Sequence, residues 1–382
     1  MTSRQMAWIY LRRVIEASRT EVLELLWDGA DSPDPEKLAH RIRTRDATLP
    51  ETLLSITEQR WDCTPERDAE LAKARGYRLV TPDDDEWPST MDAAFARMGN
   101  AGAEMEANVR GQSAPPFALW VAGPNRLDTS VLRAVTVVGT RAASNYGKEV
   151  TKSIATQLAQ DNVTVVSGGA MGIDTYAHTA ALHAGGTTVA VMACGLDVDY
   201  PRANSHLFRH IERSGLRVSE YAPGTAPARH RFLTRNRLVA SLGQVAVMVE
   251  AALRSGAINT MNWAEAMVIP NLVVPGQITH VNAQGCLVRA QQNRAELLRR
   301  YEDILVLLDP LGDQLELGLP TTEKMLSWEQ TAVFDACGEG GGELADIVGN
   351  TGMAAQPVIR ALRALETAGL ITRVGAKWRR VE

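Results

Sequence analysis

The chain has 382 residues, of which 45% are hydrophobic and 22% charged; the length exceeds what one hydrophobic core organises and the composition excludes intrinsic disorder, so two or three folded domains are expected. A formal net charge of -5 excludes a global attraction to nucleic acid, and any such binding has to come from a local basic patch. The four cysteines, Cys63, Cys194, Cys286 and Cys337, lie far apart without a C-x-x-C pair, which excludes a disulfide framework and a zinc site and predicts that they are reduced and buried.

The opening segment, MTSRQMAWIYLRRVIEAS, carries arginines inside its apolar pattern and has no small-residue cleavage site. No apolar run approaches a membrane span, so a cytoplasmic protein without membrane contact is expected. Residues 6–75 have helical periodicity, with Trp8, Leu11, Val14 and Ile15 on one face and Val22, Leu23, Leu25 and Leu26 on a second helix. From Tyr77, RLVTPDDDEWPSTM and then PPFALWVAG predict two short strands, and the Gly/Ala/Glu-rich stretch near 98–114 between them is an inserted loop. Between 134 and 276 the runs AVTVVG, VTVVSGG, TTVAVMACG, LRVSEY, QVAVMVEA and NLVVPG alternate with helical stretches. Uninterrupted apolar strands separated by amphipathic helices predict an α/β domain with a doubly wound parallel sheet. Past Gly318 the linker LPTTEK leads to three short helical segments and a Gly-turned β-ribbon, a winged-helix pattern with a locally basic end: Arg360, Arg363, Arg373, Lys377, Arg379 and Arg380 against Glu366 and Glu382. DNA and an acidic protein are both open as its partner.

Ligands of open α/β sheets bind beyond the carboxyl ends of the strands, where backbone amides and helix N-termini converge. The first strand ends in Gly139, Thr140 and Arg141, with Ser144 and Gly147 leading into a helix. The second ends in Ser167, Gly168 and Gly169, with Gly172 and Asp174 opening the next helix. Glycine admits close approach, the hydroxyls donate, and the arginine fork fits phosphate oxygens. Taken alone, the second turn is more simply a tight connection in which Asp174 serves the helix dipole, His178 reads as a packed residue, and Tyr200, Pro201 and Asn204 shape a loop. The run Arg229-His230-Arg231-Phe232-Leu233-Thr234-Arg235-Asn236-Arg237 holds arginines around one aromatic ring without an acid, the combination that neutralises phosphates and stacks a base. A third corner, Arg254-Ser255-Gly256, follows Glu250 and Ala251. The strand ends carry no G-x-G-x-x-G with a following acid, no P-loop, no G-x-S-x-G elbow, no paired carboxylates and no metal-ligand cluster. The reading is a binding protein without catalytic residues, cofactor or metal.

The ordered series VVGTRAASNYG, SGGAMGIDTYAH, CGLDVDYPRAN, SEYAPGTAP, FLTRNRLVA, VEAALRSGAINT and VPG resembles the DNA-processing protein A (DprA/Smf) family. The likeness covers most of the chain and is strongest over 134–276. It implies an N-terminal helical SAM-like domain over 1–75, a Rossmann-like DNA-binding domain with its leading β segment over 76–318, and a winged-helix domain over 319–382. It also implies a homodimer that holds single-stranded DNA and assists loading of a RecA-type recombinase in DNA uptake, natural transformation or recombination. Residue by residue it implies that Arg141, Ser167, Gly168, Phe232, Arg235, Asn236, Arg237, Arg254, Ser255 and Gly256 lie at the DNA pocket, beside the turn residues Gly139, Thr140, Ser144 and Gly172. The alternative, a nucleotide-processing phosphoribohydrolase resembling the lysine-decarboxylase-like LOG proteins, requires a P-G-G-x-G-T-x-x-E loop that does not occur here. A transcription regulator with a ligand-sensing Rossmann domain is the third reading.

Overall fold

Thr2 accepts a hydrogen bond from the Gln5 amide while the Gln5 side chain accepts one from the Thr2 amide, a reciprocal cap that starts the first helix, α1 (Ser3–Val14). The structure, a computed structural model, describes residues 2–16, 19–100, 113–308, 327–338 and 341–381. The chain divides into two units, Met1–Pro310 and Leu311–Glu382. In the first, α1 is followed by α2 (Thr20–Trp27), α3 (Pro35–Arg43), α4 (Glu51–Thr57) and α5 (Glu66–Arg75). Trp8, Leu11, Val14, Ile15, Val22 and Leu26 are fully buried among them, as the periodicity predicts, while Leu23 and Leu25 pack at the edge of the same cluster.

Strand β1 (Arg78–Val80), helix α6 (Ser89–Asn100) and strand β2 (Leu119–Ala122) come next, and the two strands pair antiparallel. Both strands were legible, but the segment between them is not all loop. In α6, Met91, Ala94, Phe95 and Met98 recur at helical spacing and are buried against the main core; the small residues around them dilute the pattern. Residues 101–112 of the inserted stretch lie outside the described residues.

After α7 (Leu127–Ser130) the sheet alternates with helices: β3 (Ala134–Val138), α8 (Asn145–Gln160), β4 (Thr164–Ser167), α9 (Ile173–His183), β5 (Thr188–Met192), α10 (Ser205–Ser214), β6 (Leu216–Ser219), α11 (Arg229–Ser241), β7 (Val245–Met248), α12 (Gly256–Ala266), β8 (Asn271–Val273), α13 (Gln284–Gln291), β9 (Glu296–Leu297) and α14 (Glu302–Leu308). The strand order is β1-β2-β6-β5-β4-β3-β7-β8-β9. Pairing is parallel from β6 across to β9, and β2 joins β6 antiparallel. Every residue of β3 is buried. Val135 and Val137 face one cluster with Ile154 and Leu158 of α8, whereas Ala134 and Val138 face the other with Leu238 of α11 and Trp263 of α12. Because both faces are covered, these strands read as continuous apolar runs.

In the second unit, Ser327 and Gln330 form another reciprocal cap at the start of α15 (Trp328–Cys337). It is followed by β10 (Gly342–Glu343), α16 (Leu344–Thr351), α17 (Ala355–Thr367), β11 (Ile371–Val374) and β12 (Lys377–Arg380). Gly375, at φ +65°, turns β11 into β12. The three helices and the ribbon match the sequence pattern, while β10, which adds a third strand beside β12, was not anticipated. The unit closes over Val333, Ile347, Val358, Leu362, Leu365 and Ile371. The linker LPTTEK lies outside the described residues.

Candidate nucleic-acid interface

Strand order reverses its direction of growth at β3: the chain proceeds outward through β4, β5 and β6 on one side and returns to place β7 on the other. At such a switch point the connecting loops leave on opposite faces and a crevice opens beyond the carboxyl ends. A cleft of about 800 Å³ lies there. It gathers ten of the fourteen residues expected at the pocket. Gly139, Thr140 and Arg141 come from the end of β3, Gly168 from β4, Phe232, Arg235 and Asn236 from α11, and Arg254, Ser255 and Gly256 from the turn into α12.

Arg141 and Arg254 are exposed, and so is Arg229 at the cleft wall; among the described residues none of the three has an ion-pair partner. The Arg141 guanidinium carbon sits 5.8 Å from the centre of the half-buried Phe232 ring. Ser255 caps α12 by accepting from the Ala257 amide, and Asn236 donates to the Gly256 carbonyl at 3.3 Å and to Asn259 at 3.1 Å, which ties α11 to α12 across the cleft.

Arg235 is buried and forms the floor. Its Nη1 donates to the Gly168 carbonyl at 2.5 Å and to the Val191 carbonyl, bridging the ends of β4 and β5. Gly168 is glycine because a Cβ there would stand 2.5 Å from that nitrogen. The one acid lining the described cleft, Asp174, accepts from the Gly168 and Ala170 amides at 3.2 Å each. Burial pushes its carboxyl above the ordinary value, against the opposing charge of Arg235. Asp174 thus closes a turn, as the simpler reading had it.

Four residues expected at the pocket do not line it. Ser144 caps α8 and gives its hydroxyl to Glu250 at 2.5 Å. Glu250 also accepts from the Ser144 amide, while its carbonyl accepts from the Thr140 amide, so it clasps the β3–α8 turn to the end of β7. Ser167 is fully buried and donates to the Val137 carbonyl within the sheet. Gly172, at φ +84°, packs beneath the Thr140–Arg141 turn, where a Cβ would meet the Thr140 carbonyl at 2.3 Å. Arg237 is fully buried, with Nη2 2.7 Å from both Glu220 oxygens. A linear run of arginines looks like one patch; the helix turns part of it inward.

Tyr200 is the residue whose place in the cleft was missed. The sequence gives it only the role of shaping a loop, yet it is 43% exposed and lines the cleft with its ring centre 5.4 Å from that of Phe232. Only tertiary folding brings the two rings together. Asn204 has the expected structural role, donating to the Gly169 carbonyl at 3.0 Å and to Thr175 at 2.9 Å. His178 is buried with Nδ1 2.7 Å from the Thr188 hydroxyl. Thr188 gives its own proton to the Val165 carbonyl, so the imidazole is the donor. Burial pushes its pKa down to about 3, which makes it a neutral packed residue. Cys194, Cys286 and Cys337 are buried free thiols and Cys63 is half-buried. Among the described residues no helix is long and apolar enough to cross a membrane, and no group of His, Cys, Asp and Glu is set to hold a metal ion.

The arrangement presents exposed guanidinium groups and a pair of aromatic rings around a glycine-rich backbone. Residues 78–309 match the family described as DNA recombination-mediator protein A. A Mycobacterium tuberculosis protein carrying the DNA processing protein DprA name is 41% identical over 98% of this chain and 93% of its own length. The DNA processing protein DprA of Streptococcus pneumoniae is 40% identical over 50% of this chain and 66% of its own. The X-ray structure of the Streptococcus pneumoniae protein superposes with a TM-score of 0.61 at 27% identity, covering 81% of this chain and 99% of that one. A solved DNA processing protein A of Helicobacter pylori, described for its unique single-stranded DNA binding mode, superposes with a TM-score of 0.51 at 27% identity, over 61% and 95%.

Proposed function

The chain belongs to the DNA recombination-mediator protein A family, and from that membership we propose that it binds single-stranded DNA in the cleft at the β3/β7 switch point, without reading sequence. The observation that carries the proposal is the pairing of exposed Arg141, Arg229 and Arg254 with the rings of Tyr200 and Phe232 around a cleft whose one acid among the described residues is buried in a turn. Guanidinium forks engage phosphates, and flat rings stack on bases of any identity. The solved Helicobacter pylori relative, described for single-stranded DNA binding, supports the same ligand class.

In this reading the protein shelters single strands in the cytoplasm and passes them to a RecA-type recombinase during uptake, natural transformation or recombination. It works as a homodimer with two clefts. The N-terminal helices are its SAM-like domain, and residues 319–382 are its winged-helix domain, a reading supported by α15, α16 and α17 followed by the β11–β12 ribbon. The test is a binding comparison by fluorescence anisotropy. Single strands should bind more tightly than duplex of the same sequence, with little dependence on base composition. Log affinity should fall with log salt by about 0.7 for each phosphate engaged. Equal affinity for duplex, or a flat salt dependence, overturns the cleft assignment.

A further inference from the structure

We propose that the outer face of α10 is a phosphate track that carries the single strand beyond the cleft toward the opposite end of the sheet. The inference rests on the single-strand reading of the cleft and extends it. Helix α10 buries Phe208 and Ile211 against the sheet. On the opposite side His206, Arg209, His210 and Arg213 are all exposed and, at 100° per residue, share an arc of about 100°. Arg202, also exposed, stands just ahead of them. No acid lies on that arc. Glu212 on the same helix and Asp199 ahead of it are already paired, since Arg217 binds them at 2.7 Å and 3.2 Å. Among the described residues Arg202, Arg209 and Arg213 make no ion pair or side-chain hydrogen bond, so their charge is available to a ligand.

Both ends of the stripe are anchored to features that suit a polyanion. At the start, Tyr200 lines the cleft two residues before Arg202, and Asn204 fixes the head of α10 to the Gly169 carbonyl beside the cleft floor. At the far end, Arg209 and Arg213 meet Arg75 around an open groove of about 500 Å³ that Gly76 and Gly123 also line, together with Glu212, whose charge is taken by Arg217. A run of unpaired arginines that begins at the cleft mouth and ends in a groove with a third arginine suits a phosphate chain that continues from the bound segment. The exposed arc carries no Phe, Tyr or Trp, so charge dominates what it offers a ligand.

The track is tested with the full chain, two oligothymidylates and the double variant Arg209→Ala/Arg213→Ala. A strand of about 6 nucleotides fills the cleft, whereas one of about 20 reaches past it. The double variant should bind the short strand as the wild type does and lose about tenfold on the long one, the sum of two exposed charge contacts. Its salt slope on the long strand should drop by about 1.4. Arg209→Lys/Arg213→Lys keeps the charges and should retain most of the long-strand affinity. The melting temperature of each variant checks the fold. Unchanged long-strand affinity in the alanine variant overturns the track while leaving the cleft intact. A wild type that binds neither strand removes the cleft reading, and the track with it. An equal loss on both strands shows that these arginines belong to the cleft, which also overturns a separate track.

Discussion

Replacing Arg141 with alanine removes an exposed guanidinium that has no ion-pair partner among the described residues, so binding should suffer and folding should not. The expected loss of single-strand affinity is about 1.5–3 kcal/mol, with a salt slope smaller by about 0.7. Lysine at the same position keeps the charge without the planar fork and should fall between wild type and alanine. Arg237→Ala should do the reverse. It leaves the buried Glu220 carboxylate without the Nη2 that contacts both its oxygens at 2.7 Å, with Arg12 at 3.4 Å as a remaining contact. The cost of breaking such a pair is about 3–5 kcal/mol of stability, and the fraction that stays folded should bind DNA normally. Thermal melts beside anisotropy titrations separate the two residues. If Arg141→Ala melts early and still binds, the guanidinium supports the turn rather than the ligand. The two arginines look alike in the sequence because nothing there shows which way a side chain turns. From Phe232 to Arg237 the helix rotates by about 140°, enough to move the second residue from the cleft to the core.

The loop entering α11 is held from the other side by the end of α1. Arg13 donates to Asp68 and to the Pro223 carbonyl, both at 2.6 Å, and Glu16 accepts from Arg231 at 2.5 Å with Arg60 at 3.3 Å. Burial alone would raise the Glu16 pKa, but the hydrogen bond and charge of Arg231, with Arg60, hold it down to about 2. The folded value is below that of an unfolded glutamate, about 4.3, so this contact stabilises fully above that pH and is lost as pH falls toward 2. Glu16→Gln should therefore melt earlier than wild type at pH 7, and the difference should close as the pH approaches 2. Single-strand affinity at pH 7 should also fall, since Arg231 lies in the first turn of α11 between Arg229 and Phe232. A melting difference that stays constant from pH 7 to about 2.5 would assign the loss to packing. Elements of this kind were legible to different degrees. The parallel strands declared themselves because burial on both faces demands uninterrupted β-branched runs. Helix α6 was hidden because one of its four buried positions is only Ala94 and further alanines, Ala93 and Ala96, blur the contrast between its faces, and β10 because a two-residue strand carries no periodicity.

For the whole chain, a homodimer predicts a light-scattering mass of two chains at micromolar concentration, and a strand that engages both clefts gains avidity without a new contact. A mass of one chain under those conditions removes that explanation of tight binding. The order of the sheet was not legible, since strand runs give no sign that the chain returns to place β7 beside β3. That return has a kinetic side. Val135 of β3 pairs in parallel with Val245 of β7, about a hundred residues later, and the cleft draws its arginines from both sides of this pairing. Contacts so distant along the chain form slowly, because closure of the intervening loop precedes any stabilising return. During synthesis, no emerging chain that stops short of α12 holds a complete cleft, so the site is assembled only when nearly the whole sheet has been made.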